Sequence, residues 1–163
     1  MNTWSLIIAG LLAFLPVSEV RGAIPYVFLV ANTPFERALG LVVSVVCNML
    51  VVPAAFALLD LLGKLVESKR TPGLIKRFYN WLLAFGRRRS LGVKKESYIA
   101  LALFVGVPLP ATGAWTGSLV AYVLGLERKK SIIAIEAGVV IASLLVFLAV
   151  YTGIEVLLKL FTG

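Results

Sequence analysis

Hydrophobic residues along this chain form long runs that are interrupted at matching places in its two halves. Each half has an apolar segment, a proline-containing break, a short apolar segment, a Glu-Arg pair and a long apolar segment. When the chain is shifted by 91 positions, Gly22-Ala23 aligns with Gly113-Ala114, and Glu36-Arg37 aligns with Glu127-Arg128. This pattern predicts an internal repeat, and paired interrupted segments are typical of membrane transporters.

Two of the apolar runs are long enough to cross a membrane. Residues 39–59 and 137–154 contain no charged residue, and each approaches the ~20 residues that a helix needs to span a bilayer. The sequence is 60% hydrophobic with a mean hydropathy of +0.98, which is more apolar surface than one soluble core can bury. We therefore predict an all-α integral membrane protein. A signal peptide is the alternative for residues 3–16, but no Lys or Arg precedes them, so we treat them as mature sequence.

Positive charge is concentrated in the middle of the chain. Nine of the 16 basic residues lie in 67–96, and a short loop with this excess is predicted to be cytoplasmic. After Pro72, apolar residues recur there at helical spacing, at Leu74, Phe78, Trp81 and Phe85. This spacing predicts an amphipathic helix at the inner face of the membrane. A nucleic-acid site is disfavoured in a loop between two spans.

Charge also indicates how the interrupted segments are arranged. If each segment turned back instead of crossing, the basic cluster 128–130 would stay on the cytoplasmic side, as the positive-inside rule requires. The two halves then form inverted repeats, each with one re-entrant helical hairpin and one transmembrane helix. The predicted organisation is a first repeat over 1–66 (hairpin 5–31, transmembrane helix 38–66), a linker over 67–96, and a second repeat over 97–163 (hairpin 97–126, transmembrane helix 131–160).

The first break carries charged residues where charge is costly. Pro16 cannot continue the first short helix, and the hydroxyl of Ser18 is expected to cap the next one. Glu19 and Arg21 follow at that helix N-terminus. Ionisable residues inside a membrane are usually paired and functional, so these two are the leading candidates for a binding site. The alternative is that both lie at the membrane interface, where long side chains reach water.

The second break has prolines and glycines in place of charge. Thr112 is expected to cap the following helix. Gly113 and Gly117 are expected to allow another backbone to approach closely, either beside a ligand or for packing alone. Backbone amides at this tip are expected to be free to bind an anion. The residues predicted to break or bend the hairpins are Pro16, Pro25, Pro108, Pro110 and Gly117.

Further polar residues lie within the long apolar runs. Glu136 is a candidate proton carrier or, alternatively, an interfacial residue near Arg128. Asn48 is expected to form a hydrogen bond between helices, and Asp60 to lie at the interface near Lys64. The chain has no histidine and a single cysteine, so we expect no metal site, no cofactor and no hydrolytic activity.

The break segments LPVSEVRGAIP (15–25) and VPLPATGAWTG (107–117) resemble the signature segments of the small multidrug export protein family of prokaryotes. Together with the basic linker, the resemblance extends over essentially the whole chain. The family is distantly similar to the DedA/VTT superfamily, in which paired re-entrant loops accompany lipid scrambling or polyprenyl-phosphate translocation. That superfamily has arginines in its second hairpin motif, whereas this chain has Thr112 at the position matching Arg21. The departure argues against phosphate handling by an arginine pair.

The expected function is secondary transport by alternating access around the two hairpin tips, with Glu19 or Glu136 coupling movement to protons. The alternatives are a lipid or polyprenyl-phosphate translocase, in which Arg21 meets a lipid phosphate, and a membrane structural or assembly factor that transports nothing. We expect a multi-pass protein of the inner (plasma) membrane, in contact with membrane lipids. A homodimer is expected because the two membrane-spanning helices of one protomer offer little surface to enclose a transport pathway.

Overall fold

The computed structural model describes residues 1–67, 71–90, 97–109 and 112–162, with side chains described as far as residue 153. The described part contains helices and no strand, which confirms the prediction of an all-α protein. In chain order the helices are α1 (Thr3–Phe14), α2 (Glu19–Val30), α3 (Pro34–Glu67), α4 (Gly73–Arg89), α5 (Tyr98–Gly106), α6 (Ala114–Val123) and α7 (Arg128–Thr162).

The helices α3 and α7 are long and apolar enough to cross a membrane. They contain 34 and 35 residues, which at 1.5 Å per residue gives each a length of about 50 Å. At one end of the molecule, Arg128 Nη1 of α7 lies 2.6 Å from Asp60 Oδ2 of α3. At the other end, the ring of Phe28 contacts both Arg37 of α3 and Phe147 of α7. The two long helices are therefore antiparallel.

The short helices α1 and α2 form a hairpin packed on the first half of α3. The side chain of Asn2 caps α1 by accepting a 2.8 Å hydrogen bond from the Ser5 amide. The chain N-terminus forms an ion pair with Glu36 at the start of α3, whereas the hairpin tip lies beside Asn48, near the middle of α3. The hairpin thus enters and leaves at the same end of the molecule.

The predicted break at Pro25 is not observed, because Pro25 lies inside α2. A proline within a helix removes one backbone hydrogen bond, here the one to the carbonyl of Arg21, and the helix continues around it. Burial explains the tolerance, since Ile24 and the side chains one turn away on α2 are packed in the core. Pro25 therefore does not end a helix.

The short helices α5 and α6 form a second hairpin, packed on α7. Ser97 caps α5 by accepting a 3.2 Å hydrogen bond from the Ala100 amide. Pro108 lies in the tip, after α5 ends at Gly106, and Pro110 lies outside the described residues. Gly117 is not a break but an internal residue of α6, where an added Cβ would lie 2.5 Å from Val105 Cγ2. Its role is close packing of α6 on α5.

The core lies where each hairpin packs against the long helix of the other half. Helix α2 packs on α7, and α6 packs on α3. The largest fully buried apolar side chains there are Val20, Ile24, Val51, Val52, Leu101, Val105, Val120, Ile135 and Val139. Such interlocking makes the two halves one packed unit.

Helix α4 lies beside α6 and the C-terminal part of α3. It begins after Pro72, as the apolar spacing predicts, and its last turn carries three arginines. The ring of Trp81 is stacked between those of Phe78 and Phe85, with centroids 6.0 and 5.9 Å away. Gly86 is buried on α6, because an added Cβ would lie 2.9 Å from Leu119 Cγ. One face of α4 is thus aromatic and the end of the helix is basic.

Candidate functional site

The two hairpin tips meet inside the molecule, and the first tip is held together by bonds to its own backbone. Pro16 follows the end of α1 at Phe14. The hydroxyl of Ser18 donates a 2.5 Å hydrogen bond back to the Leu12 carbonyl, and no hydrogen bond from Ser18 caps α2. The capping role predicted for Ser18 is therefore wrong. The last carbonyls of a helix have no donor within that helix, and Ser18 supplies one to Leu12.

Two other side chains complete the C-terminal end of α1. Asn48 Nδ2 of α3 donates a 2.6 Å hydrogen bond to the Ala13 carbonyl, which is the interhelical bond expected for this residue. Trp115 Nε1 of the second hairpin donates a 2.8 Å hydrogen bond to the Phe14 carbonyl. The rings of Phe14 and Trp115 are also in edge-to-face contact, with centroids 5.9 Å apart. Trp115 therefore ties the second tip to the end of α1.

Glu19 caps a helix of the other hairpin. Its carboxylate accepts hydrogen bonds from the backbone amides of Ala114 and Trp115, each at 3.3 Å. These amides begin α6, where the helix dipole also favours a negative charge. Glu19 is only 6% exposed and has a φ of 47°, a left-handed conformation that is unfavourable for a residue with a side chain. The amides expected to be free for an external anion are thus occupied by a carboxylate of the protein.

Gly113 makes this contact geometrically feasible. Its φ of −162° is extended backbone that any residue can adopt, so conformation does not require glycine here. Space does, because an added Cβ would lie 1.8 Å from Glu19 Oε2. The carboxylate therefore sits where a side chain at position 113 would be.

Arg21 bonds to the second tip as well. Its Nη2 donates a 3.0 Å hydrogen bond to Thr112 Oγ1, and its Nη1 donates to the Leu109 carbonyl. Its Nε is buried and has no hydrogen-bond partner in the described part of the chain. Glu19 and Arg21 do not form an ion pair with each other among the described residues. Each instead contacts the opposite hairpin.

Thr112 closes the second tip and does not cap α6, whose N-cap is Gly113. The Thr112 hydroxyl lies 2.8 Å from the Leu109 carbonyl and 2.9 Å from the Val107 carbonyl. Both carbonyls also accept backbone hydrogen bonds, Val107 from the Leu109 amide and Leu109 from the Thr112 amide, so the hydroxyl reinforces a turn that the backbone already forms. In the predicted repeat Thr112 is the counterpart of Arg21, so the structure joins by a hydrogen bond two positions that the prediction makes equivalent.

The space between the tips is small. A polar cavity of ≈ 30 Å³ remains there, lined by Pro16, Val17, Ser18, Glu19, Arg21, Thr112, Gly113 and Thr116. That volume has room for only about one or two water molecules. The tips are therefore in contact in a closed arrangement, without space for a solute between them.

Glu136, the other predicted carboxylate, lies outside this cluster. It is half-buried on α7 and forms no hydrogen bond or ion pair within the described residues. Asp60, expected near Lys64, pairs instead with Arg128, because the antiparallel packing of α3 and α7 places the start of α7 beside it. The structure thus brings together Ser18, Glu19, Arg21, Thr112 and Gly113, and leaves Glu136 apart.

A larger apolar cavity of ≈ 530 Å³ lies next to the tips. Pro16, Val17 and Thr116 line both cavities. Sequence reasoning missed this cavity, together with the contacts of Trp115. The aromatic spacing of α4 was a signal for one wall, but no pattern links α4 to the tip of the first hairpin.

A chain with two long apolar helices, and with two helical hairpins that meet through buried polar groups, is a helical membrane protein. Residues 19–145 match the family described as "Putative small multi-drug export protein". The match covers more than three quarters of the chain, so the chain belongs to this family. It includes the first tip from Glu19 onward and the whole of the second tip. Its description is that of an export protein, which is not an enzyme class. No curated protein and no solved structure matches the chain at a significant level.

Proposed function

We propose that this protein is a secondary transporter of the inner (plasma) membrane, in which the hairpins α1–α2 and α5–α6 are re-entrant. The observation that carries the proposal is the contact of the two tips through Glu19 and Arg21. Each hairpin helix has 9 to 12 residues, or about 14 to 18 Å. This is half the ~30 Å thickness of the hydrocarbon core, so the tips would meet at the midplane.

The packing supports inverted repeats. Helix α2 packs on α7 as its counterpart α6 packs on α3, and the two long helices are antiparallel. The hydrogen bond between Arg21 and Thr112 joins equivalent positions, as expected close to a two-fold axis in the membrane plane. These features agree with two halves of opposite orientation.

The ion pair between Asp60 and Arg128 supports the orientation. It places the start of α7 at the same end of the molecule as the C-terminal part of α3, from which the basic linker 67–96 leaves. With the linker in the cytoplasm, the basic residues 128–130 are cytoplasmic too, in agreement with the positive-inside rule. The opposite end, with Glu36 and Arg37, faces outward.

In this proposal the closed tips are the gate. Alternating access separates the hairpins by breaking the Glu19 cap on α6 and the two bonds of Arg21. Protonation of Glu19 removes the charge that the N-terminus of α6 stabilises, and this couples opening to protons. Glu136 remains a second candidate carrier. More than two membrane-spanning helices are needed to enclose such a pathway, so we propose that the transporter is a homodimer.

Arg21 favours an anionic or zwitterionic substrate. When the tips separate, its guanidinium and the amides that begin α6 become free to hold a phosphate or carboxylate. The apolar cavity beside the tips supports the second candidate, a lipid or polyprenyl-phosphate translocase, because a lipid has both an anionic head and an apolar tail.

The test is reconstitution into proteoliposomes of the wild type, Arg21→Lys and Arg21→Ala. The control is Arg88→Ala, at an exposed position of α4. The assays use cationic dyes, small organic anions, fluorescent phospholipids and a polyprenyl phosphate. We expect Arg21→Lys to weaken anion movement, because lysine lacks the planar guanidinium that can donate two parallel hydrogen bonds to an anion. Arg21→Ala should weaken it further. Flux of cationic dyes that survives Arg21→Ala, without movement of any anion or lipid, would contradict the anion-site proposal and favour a cation exporter.

A further inference from the structure

The ≈ 530 Å³ cavity beside the first hairpin tip has almost entirely apolar walls. Helix α3 contributes Ala55, Leu58, Leu59 and Leu62, and α4 contributes Phe78, Trp81, Leu82 and Phe85. The first hairpin tip contributes Pro16 and Val17, and α6 contributes Trp115, Thr116 and Leu119. Thr116 is the single hydroxyl-bearing residue of this lining, so the cavity suits a hydrocarbon ligand.

The cavity extends along α3 for the distance from Ala55 to Leu62, which is about 10 Å of helix. One end lies under α4, the amphipathic helix, and the other reaches Pro16 and Val17 at the tip. With α4 at the cytoplasmic interface and the tip at the midplane, the cavity runs along one leaflet, in the direction of an acyl chain.

A cation lies beside the aromatic wall of the cavity. The guanidinium of Arg89 sits 5.4 Å from the ring centroid of Phe85, which lines the cavity. Arg87 and Arg88 occupy the same last turn of α4. A ligand with its tail in the cavity would therefore place its head beside a cluster of positive charge.

We propose that one acyl chain of an anionic phospholipid from the cytoplasmic leaflet occupies this cavity, with its headgroup beside Arg89. The apolar walls favour binding of the acyl chain, and the basic end of α4 favours a negatively charged headgroup. The lipid would cover the exposed aromatic face of α4 and contact the first tip through Pro16 and Val17. The inference rests on the proposed membrane topology, and it holds whether or not the protein transports solutes or lipids.

Tryptophan fluorescence tests the proposal directly. Trp81 and Trp115 line the cavity, and Trp4 does not, so a Trp4→Phe variant reports mainly on the cavity. The protein is placed in phosphatidylcholine nanodiscs that contain increasing fractions of phosphatidylglycerol brominated on its acyl chains. We expect saturable quenching, half-complete at about a tenfold lower fraction than for brominated phosphatidylcholine, since one to two nearby basic residues each contribute about fivefold.

Paired substitutions localise the bound chain. Leu58→Phe adds volume inside the cavity and should weaken quenching, whereas Leu61→Phe, on the same helix but outside the lining, should not. If Leu58→Phe does not fold, Leu62→Phe serves the same purpose. Quenching that rises linearly with lipid fraction, and equally in the Leu58 and Leu61 variants, would show bulk lipid only and would overturn the proposal.

A second pair of substitutions tests the headgroup position. Arg89→Gln should reduce the preference for phosphatidylglycerol about fivefold. Arg88→Gln removes the same charge from a side chain that contacts no lining ring in the described part of the chain, so it should reduce the preference less. Equal losses in the two variants would indicate diffuse attraction to the basic helix end and would overturn the assignment of the headgroup to Arg89.

Discussion

A single methyl group at position 113 should displace the Glu19 carboxylate from the second hairpin tip. In Gly113→Ala, the new Cβ would lie 1.8 Å from Oε2, 2.5 Å from Cδ and 2.6 Å from Oε1 of Glu19. Rotation of the Glu19 side chain relieves this overlap only by moving the carboxylate, because all three atoms belong to it. The carboxylate must therefore leave the amides of Ala114 and Trp115.

The expected loss follows from those two bonds. A hydrogen bond to a charged group contributes about 1.5 to 3 kcal/mol. Both bonds here are 3.3 Å long, longer than the usual ~2.9 Å, so the lower value applies. Losing both should destabilise the protein by about 3 kcal/mol, or about 6 to 12 °C in Tm by the scaling for chains of this length. The extended φ of Gly113 means that backbone strain adds nothing to this value.

The single cysteine provides the assay. Cys47 is half-buried in α3, so a thiol-reactive fluorescent dye reports its exposure as the protein unfolds in detergent. Gly153→Ala is the control, because nothing lies within 4 Å of a Cβ at that position, and its Tm should be unchanged or slightly raised. Combined with Glu19→Ala, which removes the overlapping atoms, Gly113→Ala should have little further effect. An equal loss of Tm in the presence and absence of the Glu19 side chain would refute this reasoning.

Two other predictions concern topology and coupling. In a Cys47→Ser background, cysteines at Arg88 and Lys129 should be labelled from the same, cytoplasmic side; labelling of position 129 alone from outside intact cells would exclude the inverted arrangement. In proteoliposomes, Glu19→Gln should abolish the dependence of flux on a pH gradient, since Gln keeps the shape and loses the titratable charge. Glu136→Gln tests the second carrier, and unchanged pH-driven flux in both variants and in the double variant would exclude both carboxylates.

Hydropathy predicted the long helices well but placed their beginnings too late. The expected starts were 38 and 131, whereas α3 and α7 begin at Pro34 and Arg128. Apolar runs end where charged residues begin, but the backbone hydrogen bonds continue into the charged turn. For α3 the sequence does contain the missing signal: Thr33 accepts a 3.2 Å bond from the Glu36 amide, and Glu36 accepts a 2.8 Å bond from the Asn32 amide. This resembles a capping box followed by proline at the first helical position.

The candidate site was predictable only in part. Repeat alignment and the cost of buried charge directed attention to Glu19, Arg21 and Thr112. Their partners include the carbonyl of Leu109 and the amide of Ala114, and backbone atoms carry no signature in a sequence. The expectation that Ser18 and Thr112 would cap their own helices failed for a related reason. Both hydroxyls donate instead to backbone carbonyls of their own hairpin, and the start of α6 is capped by Glu19 of the other hairpin.

The distribution of polar groups between the tips is unequal, and this bears on how the proposed gate opens. The first hairpin supplies both charged side chains, and the second supplies mainly backbone donors and acceptors. Glu19 and Arg21 lie two residues apart on the same hairpin, so these opposite charges move together when the tips separate.

Strain in the closed arrangement reduces the free-energy difference between the closed and the open arrangements of the tips. Glu19 is held at a φ of 47°, and a left-handed conformation of a non-glycine residue costs about 1 to 3 kcal/mol. The two bonds from α6 to the carboxylate contribute about 3 kcal/mol at the lower estimate. Release of the strain would then offset a large part of the loss of those bonds. A gate with open and closed states only a few kcal/mol apart is one whose balance a bound substrate or a proton can shift.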